Sequence, residues 1–498
     1  MGKEVNFGYK DSPDREHVEE NAESYRNGFA RDRDRVLYSK EFRRLDGKTQ
    51  VFVSGFDDHV RNRLTHTLEV NQIAVTIGKA LHLNLDLIEA IALVHDVGHT
   101  PFGHVGERYL NYLMNGCMDY ASFDASNFSK LKGFKHNLQG ARVVTTLEKI
   151  SSKFSGINLS NEVITGMLYH TDIKQTKACE YYVNKGTEAH CMMNNDRRIC
   201  PIKGNFAYEF YDDIVAKYTM YTIEARVLAL ADEIAQRHHD IEDAIEANII
   251  NRNELLKALH KENIISDSEK SLFESEQTKE ILLHDLSKAI ISKYVNNIVN
   301  TTNEKFELSK KKSQEGILNY YAQEMLSKTF NALNIEEKIQ LIENLVSLSS
   351  DFIKHDVALK KYLKNVILKS NITQKMDGKA QFLLRQIIKS YIDNPQQLPL
   401  KTIHSVLLNY NALVKRIDIN LHDSTMGDLE DFLVKNESII SSGLINSELR
   451  DFLMKYHLEQ SSAFKIALLR TISDYVSGMT DNYAIDLYES LYGISRKY

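Results

Sequence analysis

Scarce proline is the sequence feature that most restricts how this chain can fold. Only five prolines occur among 498 residues. Because a proline inside a helix removes a backbone donor and clashes with the preceding turn, its scarcity permits long helices almost everywhere. Two of the five lie in 390–400, where we predict a break between helices. Apolar residues also recur at helical spacing, and alternating strand patterns are rare. These apolar positions are Leu64, Leu68, Ile73, Ile77 and Leu81, and then Ile223, Val227, Leu230 and Ile234. We therefore predict an all-α fold.

Three regions follow one another along the sequence. A polar arm, 1–30, precedes a region, 31–250, that holds nearly all candidate functional residues, and a second helical region spans 251–498. Polar interruptions at 114–133 and 171–206 predict loops or lids. The expected architecture is a helical core with a helical C-terminal extension, which we expect to supply subunit contacts and part of the substrate pocket.

Charge and composition exclude several classes of protein. The net charge of −6 gives no general attraction to nucleic acid or to an anionic membrane. No signal peptide and no long apolar run is evident, so we expect a cytoplasmic protein that does not enter the membrane. The four cysteines are too few for a disulfide framework. The spacing of His190, Cys191 and Cys200 fits no regular zinc motif.

The most informative stretch is LDLIEAIALVHDVGHTPFGHVGE, residues 85–107. Asp86 and Glu89 resemble a capping box, so we expect a helix to begin at Asp86 and to end near Gly98. His95 and Asp96 then occupy the last turn of that helix. An imidazole nitrogen and a carboxylate oxygen form a mixed ligand set that suits Mn, Fe, Ni, Co, Zn or Mg.

Two ligands do not hold a catalytic ion tightly, so others must come from elsewhere in the chain. His66 lies on the periodic helix 64–81 and is the natural third ligand. Asp232 directly follows an apolar run, where a metal ion would relieve the cost of burying its charge. Taken singly, each residue has an ordinary structural explanation: a core histidine, a surface pair or a helix cap. Together with the glycine-rich surroundings of His95, the set favours a metal site.

Five motifs, separated along the chain, resemble one family. The order H…HD…D defines the HD-domain metal-dependent phosphohydrolases. The motif sequences here are similar to those of the bacterial deoxyguanosine triphosphate triphosphohydrolases. The motifs are RRLDGKTQVF (43–52), RNRLTHTLEV (61–70), HDVGHTPFGHVGE (95–107), FKHNLQGARVV (134–144) and ALADEIAQRHHDIEDAI (229–245). The closing DYVSGMTDNYA (474–484) is similar to the C-terminal signature of that family. The resemblance is dense over 31–250 and thin elsewhere.

The resemblance implies a reaction and a cofactor. Family enzymes split a deoxynucleoside triphosphate, with dGTP the best guess here, into deoxynucleoside and inorganic tripolyphosphate. They use one divalent ion per site, for which we favour Mn or Mg over Fe, Ni or Co. By resemblance, its ligands are His66, His95, Asp96 and Asp232. Relatives form tetramers or hexamers, so we expect a homo-oligomer, and a nucleotide or single-stranded DNA is the candidate effector.

His104 and Glu107 are the predicted catalytic pair. They stand three residues apart and so share a helix face, where the carboxylate would orient the imidazole for acid–base work. The family motif PFGHxGE matches here without change. The alternative is that both residues cap the start of the next helix.

The resemblance also implies a set of substrate contacts. His99, His136 and Arg63 would contact phosphates, and Gln50 with Asp240 would bind the sugar 3′-hydroxyl. The alternative role for Arg63 is a surface salt bridge. Lys203 aligns loosely with a triphosphate contact of the family.

Two residues depart from the family pattern. One helix face presents four residues, Asp232, Gln236, His239 and Asp240. The first departure is Gln236 on this face, because relatives commonly have a tyrosine at this position, where it packs on the sugar. The strictness of selection for deoxyribose is therefore an open question. Asn482 stands where an arginine is frequent.

Two other functions remain open at this point. A different HD phosphohydrolase, acting on nucleoside monophosphates or cyclic nucleotides, would share the metal ligands without needing His104 and Glu107. A nucleotide- or single-strand-binding regulator would have a degenerate site, against which the intact ligand set argues. Product analysis distinguishes these functions.

Overall fold

The computed structural model describes most of the chain. The described residues are 13–18, 25–50, 61–118, 132–151, 153–171, 176–178, 182–185, 188–191, 205–275, 278–313, 333–417, 446–459 and 461–493. The helices of the first half are α1 (Gly28–Tyr38), α2 (Lys40–Arg44), α3 (Arg63–Ala80), α4 (Leu85–Val94), α5 (Gly103–Met114), α6 (His136–Arg142), α7 (Asn161–Tyr169), α8 (Asp212–Lys217) and α9 (Ile223–Glu246). Those of the second half are α10 (Arg252–Lys261), α11 (Asp267–Ser275), α12 (Lys279–Ser313), α13 (Ile335–Leu345), α14 (Ser350–Leu368), α15 (Asn371–Asp393), α16 (Leu400–Ile417), α17 (Asn446–Glu459), α18 (Ser462–Ser477) and α19 (Asp481–Tyr492). The predicted all-α class is confirmed.

The chain forms two compact units, each assembled from separated stretches. Unit 1 contains 1–98, 140–173 and 214–376, and unit 2 contains 99–139, 174–213 and 377–498. The sequence division into 1–30, 31–250 and 251–498 stays a prediction.

Unit 1 is built around α4, which packs against α1, α3 and α7, while α9 packs against α3. The predicted helical periodicity of 64–81 and 223–234 is confirmed by α3 and α9. Residues 87, 88 and 90–94 of α4 are all buried, and each large apolar side chain buried in this way contributes roughly 1.5–3 kcal/mol. A helix with most of its residues buried holds the residues at its end in place.

The start of α4 differs from its prediction. Asn84, rather than Asp86, caps the helix, because its side chain accepts a hydrogen bond from the backbone N–H of Leu87. Asp86 and Glu89 bond to α1 and the residue before it instead: Asn27 donates to Asp86 at 2.6 Å and Arg33 to Glu89 at 2.7 Å. The capping-box interpretation was therefore wrong, since partners on another segment attract both carboxylates.

Unit 2 contains α5 and the last helices of the chain. Helix α18 packs against α5 and against α16. The predicted break at 390–400 is confirmed, because α15 ends at Asp393 and a short 3₁₀ turn, Pro395–Gln397, precedes α16.

The predicted loop at 171–206 contains short strands and needs correction. Strand β1 (Thr176–Ala178) pairs antiparallel with β4 (Asn205–Ala207), and β2 (Tyr182–Lys185) pairs with β3 (Glu188–Cys191). Segments of three or four residues carry too little alternation to be seen as a pattern. Within the other predicted loop, 114–133, residues 119–131 lie outside the described part.

Candidate active site

The four predicted metal ligands converge inside unit 1. His66 lies on α3, His95 and Asp96 follow α4 directly, and Asp232 lies on α9, all buried. His66 Nε2 is 3.0 Å from Asp232 Oδ1 and 4.0 Å from Asp96 Oδ2. His95 Nε2 is 3.9 Å from Asp232 Oδ1 and 3.6 Å from Asp96 Oδ1. Ligands that each stand about 2.0–2.2 Å from one ion are separated by such distances.

His95 shows most directly that the cluster suits a cation. Its Nδ1 is 2.6 Å from the carbonyl oxygen of Ala92, so Nδ1 carries the proton and Nε2 holds a lone pair. Nε2 is buried and has no hydrogen-bond partner among the described residues. A buried acceptor without a donor is costly. Because two carboxylates lie within 4 Å of that nitrogen, a divalent ion fits the donor set.

The two carboxylates are held by neighbouring side chains. Burial would raise the pKa of Asp232, but its hydrogen bond to His66 and the nearby imidazoles of His66 and His95 hold that pKa below its usual value. The amide of Gln236 donates to both oxygens of Asp232 at 3.2 Å. Arg63 donates to Asp96 at 3.0 Å.

Arg63 is itself buried, with 2% of its surface exposed. A surface salt bridge is therefore the wrong description of this residue. Its predicted contact with phosphate stays a prediction, and its pairing with Asp96 is an additional finding.

Two residues of the predicted functional face of α9 contact the four clustered residues, and the function of this face stays a prediction. His239 Nδ1 lies 3.1 Å from His66 Nδ1, and Gln236 bonds to Asp232. Asp240 is half-buried, and burial raises the pKa of its carboxyl to about 6. Gln50 is also half-buried, and its Oε1 has no hydrogen-bond partner within the described ranges. The proposed roles of Gln50 and Asp240 in binding sugar stay predictions.

A second cluster lies within unit 2 and contains the predicted acid–base residues. The rings of His99 and His136 stack with their centroids 3.8 Å apart. Glu107 Oε2 is 2.7 Å from His136 Nδ1 but 4.0 Å from His104 Nδ1. His136 is therefore the hydrogen-bond partner of Glu107, and His104, with 74% of its side chain exposed, is a more distant neighbour. Burial would raise the pKa of Glu107, but His136, and more weakly His104 and His99, lower it below the usual value.

The alternative role of His104 and Glu107 as helix caps is not supported. The residue at the N-cap of α5 is Phe102, which makes no side-chain cap.

Phe102 has a φ of 59°, in the left-handed region that non-glycine residues rarely adopt. Its backbone N–H donates to the buried carboxylate of Asp481 at 2.8 Å. At Gly106, a Cβ would stand 2.3 Å from the carbonyl oxygen of Pro101, so only glycine permits this close approach.

Sequence reasoning missed several supporting residues. It placed His239 on the functional face without giving it a role, and it overlooked Glu69, which lies three residues after His66 on α3 and contacts His239. Within unit 2, it left the C-terminal signature without a structural role. Asp481 bonds to Phe102, and Asp474 accepts a hydrogen bond from Gln139 at 2.8 Å. Lys203 lies outside the described residues, and Asn482 is exposed.

Comparison with known proteins agrees with this geometry. The HD domain model matches residues 63–237, which include the four clustered ligands, and the phosphohydrolase-associated domain model matches residues 446–490. A deoxyguanosinetriphosphate triphosphohydrolase-like protein of Rickettsia rickettsii (strain Iowa) is 30% identical over 468 residues, which cover 94% of this chain and 92% of the relative. The chain belongs to the deoxyguanosinetriphosphate triphosphohydrolase-like family.

Other members of this deoxyguanosinetriphosphate triphosphohydrolase-like family match over the same length. The protein of Rickettsia canadensis (strain McKiel) is 29% identical, with 94% of both chains covered. That of Rickettsia bellii (strain RML369-C) is 28% identical, covering 94% of this chain and 92% of its own. The chain is thus an HD-domain phosphohydrolase, a metal-dependent class of hydrolase. Among the described residues, no helix combines the length and apolar character needed to span a bilayer.

Proposed function

We propose that this phosphohydrolase hydrolyses deoxynucleoside triphosphates, dGTP first among them, to deoxynucleoside and inorganic tripolyphosphate. The observation that carries the proposal is the buried lone pair of His95 Nε2, which faces two carboxylates and lies beside His66. The printed names of the relatives supply the substrate class.

The reaction adds water across one phosphoester bond. The water oxygen becomes bonded to the α-phosphorus, and the bond from that phosphorus to the 5′-oxygen breaks. One water proton goes to the 5′-oxygen, which leaves as the hydroxyl of the deoxynucleoside. A divalent ion bound by His66, His95, Asp96 and Asp232 would supply Lewis acidity to the α-phosphoryl oxygens.

The side chains of the protein supply binding and proton transfer in this proposal. Glu107 and His104 transfer protons, with His136 orienting the Glu107 carboxylate through its 2.7 Å contact. Arg63, His99 and His136 bind phosphate oxygens, to which guanidinium and imidazole N–H groups can donate. The half-buried Gln50 and Asp240 bind the sugar 3′-hydroxyl. Lys203 is a further candidate for a triphosphate contact.

The decisive experiment identifies products. The purified chain is incubated with each of the four deoxynucleoside triphosphates and either Mn²⁺ or Mg²⁺, in water enriched in ¹⁸O. We expect deoxynucleoside and tripolyphosphate in equal amounts, with the label in tripolyphosphate. Asp232→Asn, which alters one ligand at similar volume, is the matched inactive control.

Two outcomes would contradict the proposal. Release of orthophosphate from nucleoside monophosphates, or opening of cyclic nucleotides, with triphosphates left intact, would indicate another HD phosphohydrolase. Nucleotide or single-stranded DNA binding without any turnover would indicate a regulator. Three further expectations stay predictions: a tetramer or hexamer, a cytoplasmic location and an effector. Light scattering with and without added nucleotide tests the oligomeric state and its response to a nucleotide effector.

A further inference from the structure

A chain of polar side chains leads away from the metal ligand His66. His66 Nδ1 lies 3.1 Å from His239 Nδ1, and His239 Nε2 lies 2.7 Å from Glu69 Oε2. Both histidines are fully buried, whereas Glu69 is half-buried and its second carboxylate oxygen lies 3.0 Å from Arg61 Nε. His66 and Glu69 belong to α3, and His239 belongs to α9, so the chain crosses between two packed helices of unit 1.

The partners of these atoms determine where the protons lie. A carboxylate only accepts, so His239 Nε2 carries a proton toward Glu69. A neutral imidazole has a single N–H, which makes His239 Nδ1 an acceptor. His66 Nδ1 must then be the donor, which leaves Nε2 as the nitrogen that can bind an ion in place of its present hydrogen bond with Asp232. That nitrogen points to the carboxylates of Asp96 and Asp232, at 4.0 and 3.0 Å.

The same residues invite a second interpretation, as a separate metal site. Glu69, His238 and His239 place three ligand atoms within 4.8 Å of one another. His238 is buried, and its Nε2 lies 3.2 Å from Glu69 Oε2 without hydrogen-bond geometry.

Proton positions argue against that interpretation. An ion on His239 Nε2 would move the imidazole proton to Nδ1, which would then donate to His66. The proton of His66 would have to lie on Nε2, where it would occupy the lone pair needed by the first ion. With neutral imidazoles, an ion in one cluster therefore excludes an ion in the other.

We propose that Glu69 and His239 are positioning residues that hold His66 as the Nδ1–H tautomer, leaving its Nε2 lone pair ready for the catalytic ion. This inference rests on the proposed metal site and adds a supporting layer to it. Outer-shell carboxylates of this kind fix the ring of a histidine ligand and raise its basicity. His95 receives the equivalent support from the backbone carbonyl of Ala92, so side-chain substitutions test the His66 branch alone.

The test measures Mn²⁺ binding directly, by electron paramagnetic resonance of the free ion, independently of turnover. Glu69→Ala and His239→Phe are each expected to weaken the affinity by about 10–100-fold. Glu69→Gln keeps an amide oxygen that can still accept a hydrogen bond from His239. Its affinity for Mn²⁺ should therefore lie between those of these two variants and that of the parent. His238→Gln is the matched control, because it removes an imidazole that lies beside the same carboxylate without a hydrogen bond to it. It should bind one ion with the parental affinity.

Each result decides the matter. Parental affinity in both Glu69→Ala and His239→Phe would overturn the inference, as would loss of a second bound ion in His238→Gln, which would indicate a metal site at that cluster. Circular dichroism establishes that the variants fold, and Glu69→Gln replaces any that does not. Asp232→Asn separates the two proposals: if it also binds Mn²⁺ like the parent, the metal site and the proposed function fail together.

Discussion

Glu107 has two imidazole neighbours at unequal distances, and this difference bears on its role. The short contact is to His136 and the longer one, at 4.0 Å, is to His104. Helical spacing along one element reveals only the second, because His136 belongs to α6 and approaches from a different helix. Because nearby histidines keep its carboxylate ionised, Glu107 can accept a proton from water directly. It can also orient a neighbouring imidazole that accepts this proton.

Glu107→Gln is expected to slow turnover by about 10²–10⁴-fold, the range typical of lost acid–base catalysis. Because Glu107 is not a predicted ligand, Mn²⁺ binding should persist. His95→Ala is the contrasting variant, since it removes the orphaned Nε2 lone pair and should lose metal and activity together. Single-turnover rates and metal content measure both effects. A parental rate in Glu107→Gln would show that the acid–base assignment is wrong.

The amide of Gln236 bonds to Asp232, at a position where the family resemblance led us to expect a tyrosine. We expect Gln236→Tyr to lower the rate with GTP relative to dGTP by roughly 10-fold or more, because a ring at this position would occupy the space of a 2′-hydroxyl. The two hydrogen bonds to Asp232 are lost as well.

Gln236→Leu serves as the control for that loss. It removes the same hydrogen bonds without adding a ring, so it should weaken metal binding and leave the ratio of GTP to dGTP turnover unchanged. If the two variants shift this ratio equally, the ring does not determine sugar selection.

At the scale of elements, one buried ion pair connects three helices of unit 1. Asp356 of α14 accepts from Arg237 of α9 at 2.9 and 3.2 Å, and from the hydroxyl of Tyr294 of α12 at 2.6 Å. Burial would raise the pKa of Asp356, but Arg237 and Tyr294 hold it below its ordinary value. The pair fixes the helix that carries Asp232 and His239.

Asp356→Ala should lower the free energy of unfolding by about 3–5 kcal/mol, because the charge of Arg237 would stay buried without its partner. Lys354→Ala on the same helix is the control. Lys354 pairs with Asp351 at 3.5 Å, but both side chains are largely exposed, so its loss should cost at most about 1 kcal/mol. Urea unfolding measures both, and equal effects would contradict the argument.

Elements with long periodic patterns were predictable from sequence, and those set by distant partners were not. Helices α3 and α9 were predicted because periodicity is a local signal. The cluster of His66, His95, Asp96 and Asp232 was predicted from the order of separated motifs, and its role as a ligand set stays a prediction. The cap of α4 was not, since Asn84 and Asp86 are both able caps and the choice depends on contacts with distant Asn27 and Arg33. The strands near 176–207 are too short to show a pattern.

On the scale of the whole molecule, each unit gathers three separated stretches of chain. Many contacts therefore close long loops, which slows folding relative to a bundle of sequential helices. An ion that binds the buried ligands from α3, the end of α4 and α9 joins segments far apart in sequence, so its binding should stabilise the folded state.

Dialysis against a chelator should lower the melting temperature, and Mn²⁺ should restore it. At an ion concentration about 100 times the dissociation constant, the stabilisation is about 2.7 kcal/mol. Asp232→Asn should show a smaller response or none, because a ligand is altered. Scanning calorimetry measures the melting temperatures. An equal rise with Mn²⁺ in the parent and in Asp232→Asn would show that the stabilising ion binds elsewhere.

The bond between Phe102 and Asp481 spans 379 positions of the chain. At a synthesis rate of about 5–20 residues per second, a ribosome needs roughly 20–75 s to travel from one partner to the other. During that interval Asp481 has not been synthesised, so the turn before α5 lacks this acceptor for the N–H of Phe102. A nascent polypeptide thus carries His66, His95, Asp96 and Asp232 long before Asp481 can hold the turn that precedes His104, and translation that stops just short of the C-terminal signature leaves that turn without its partner.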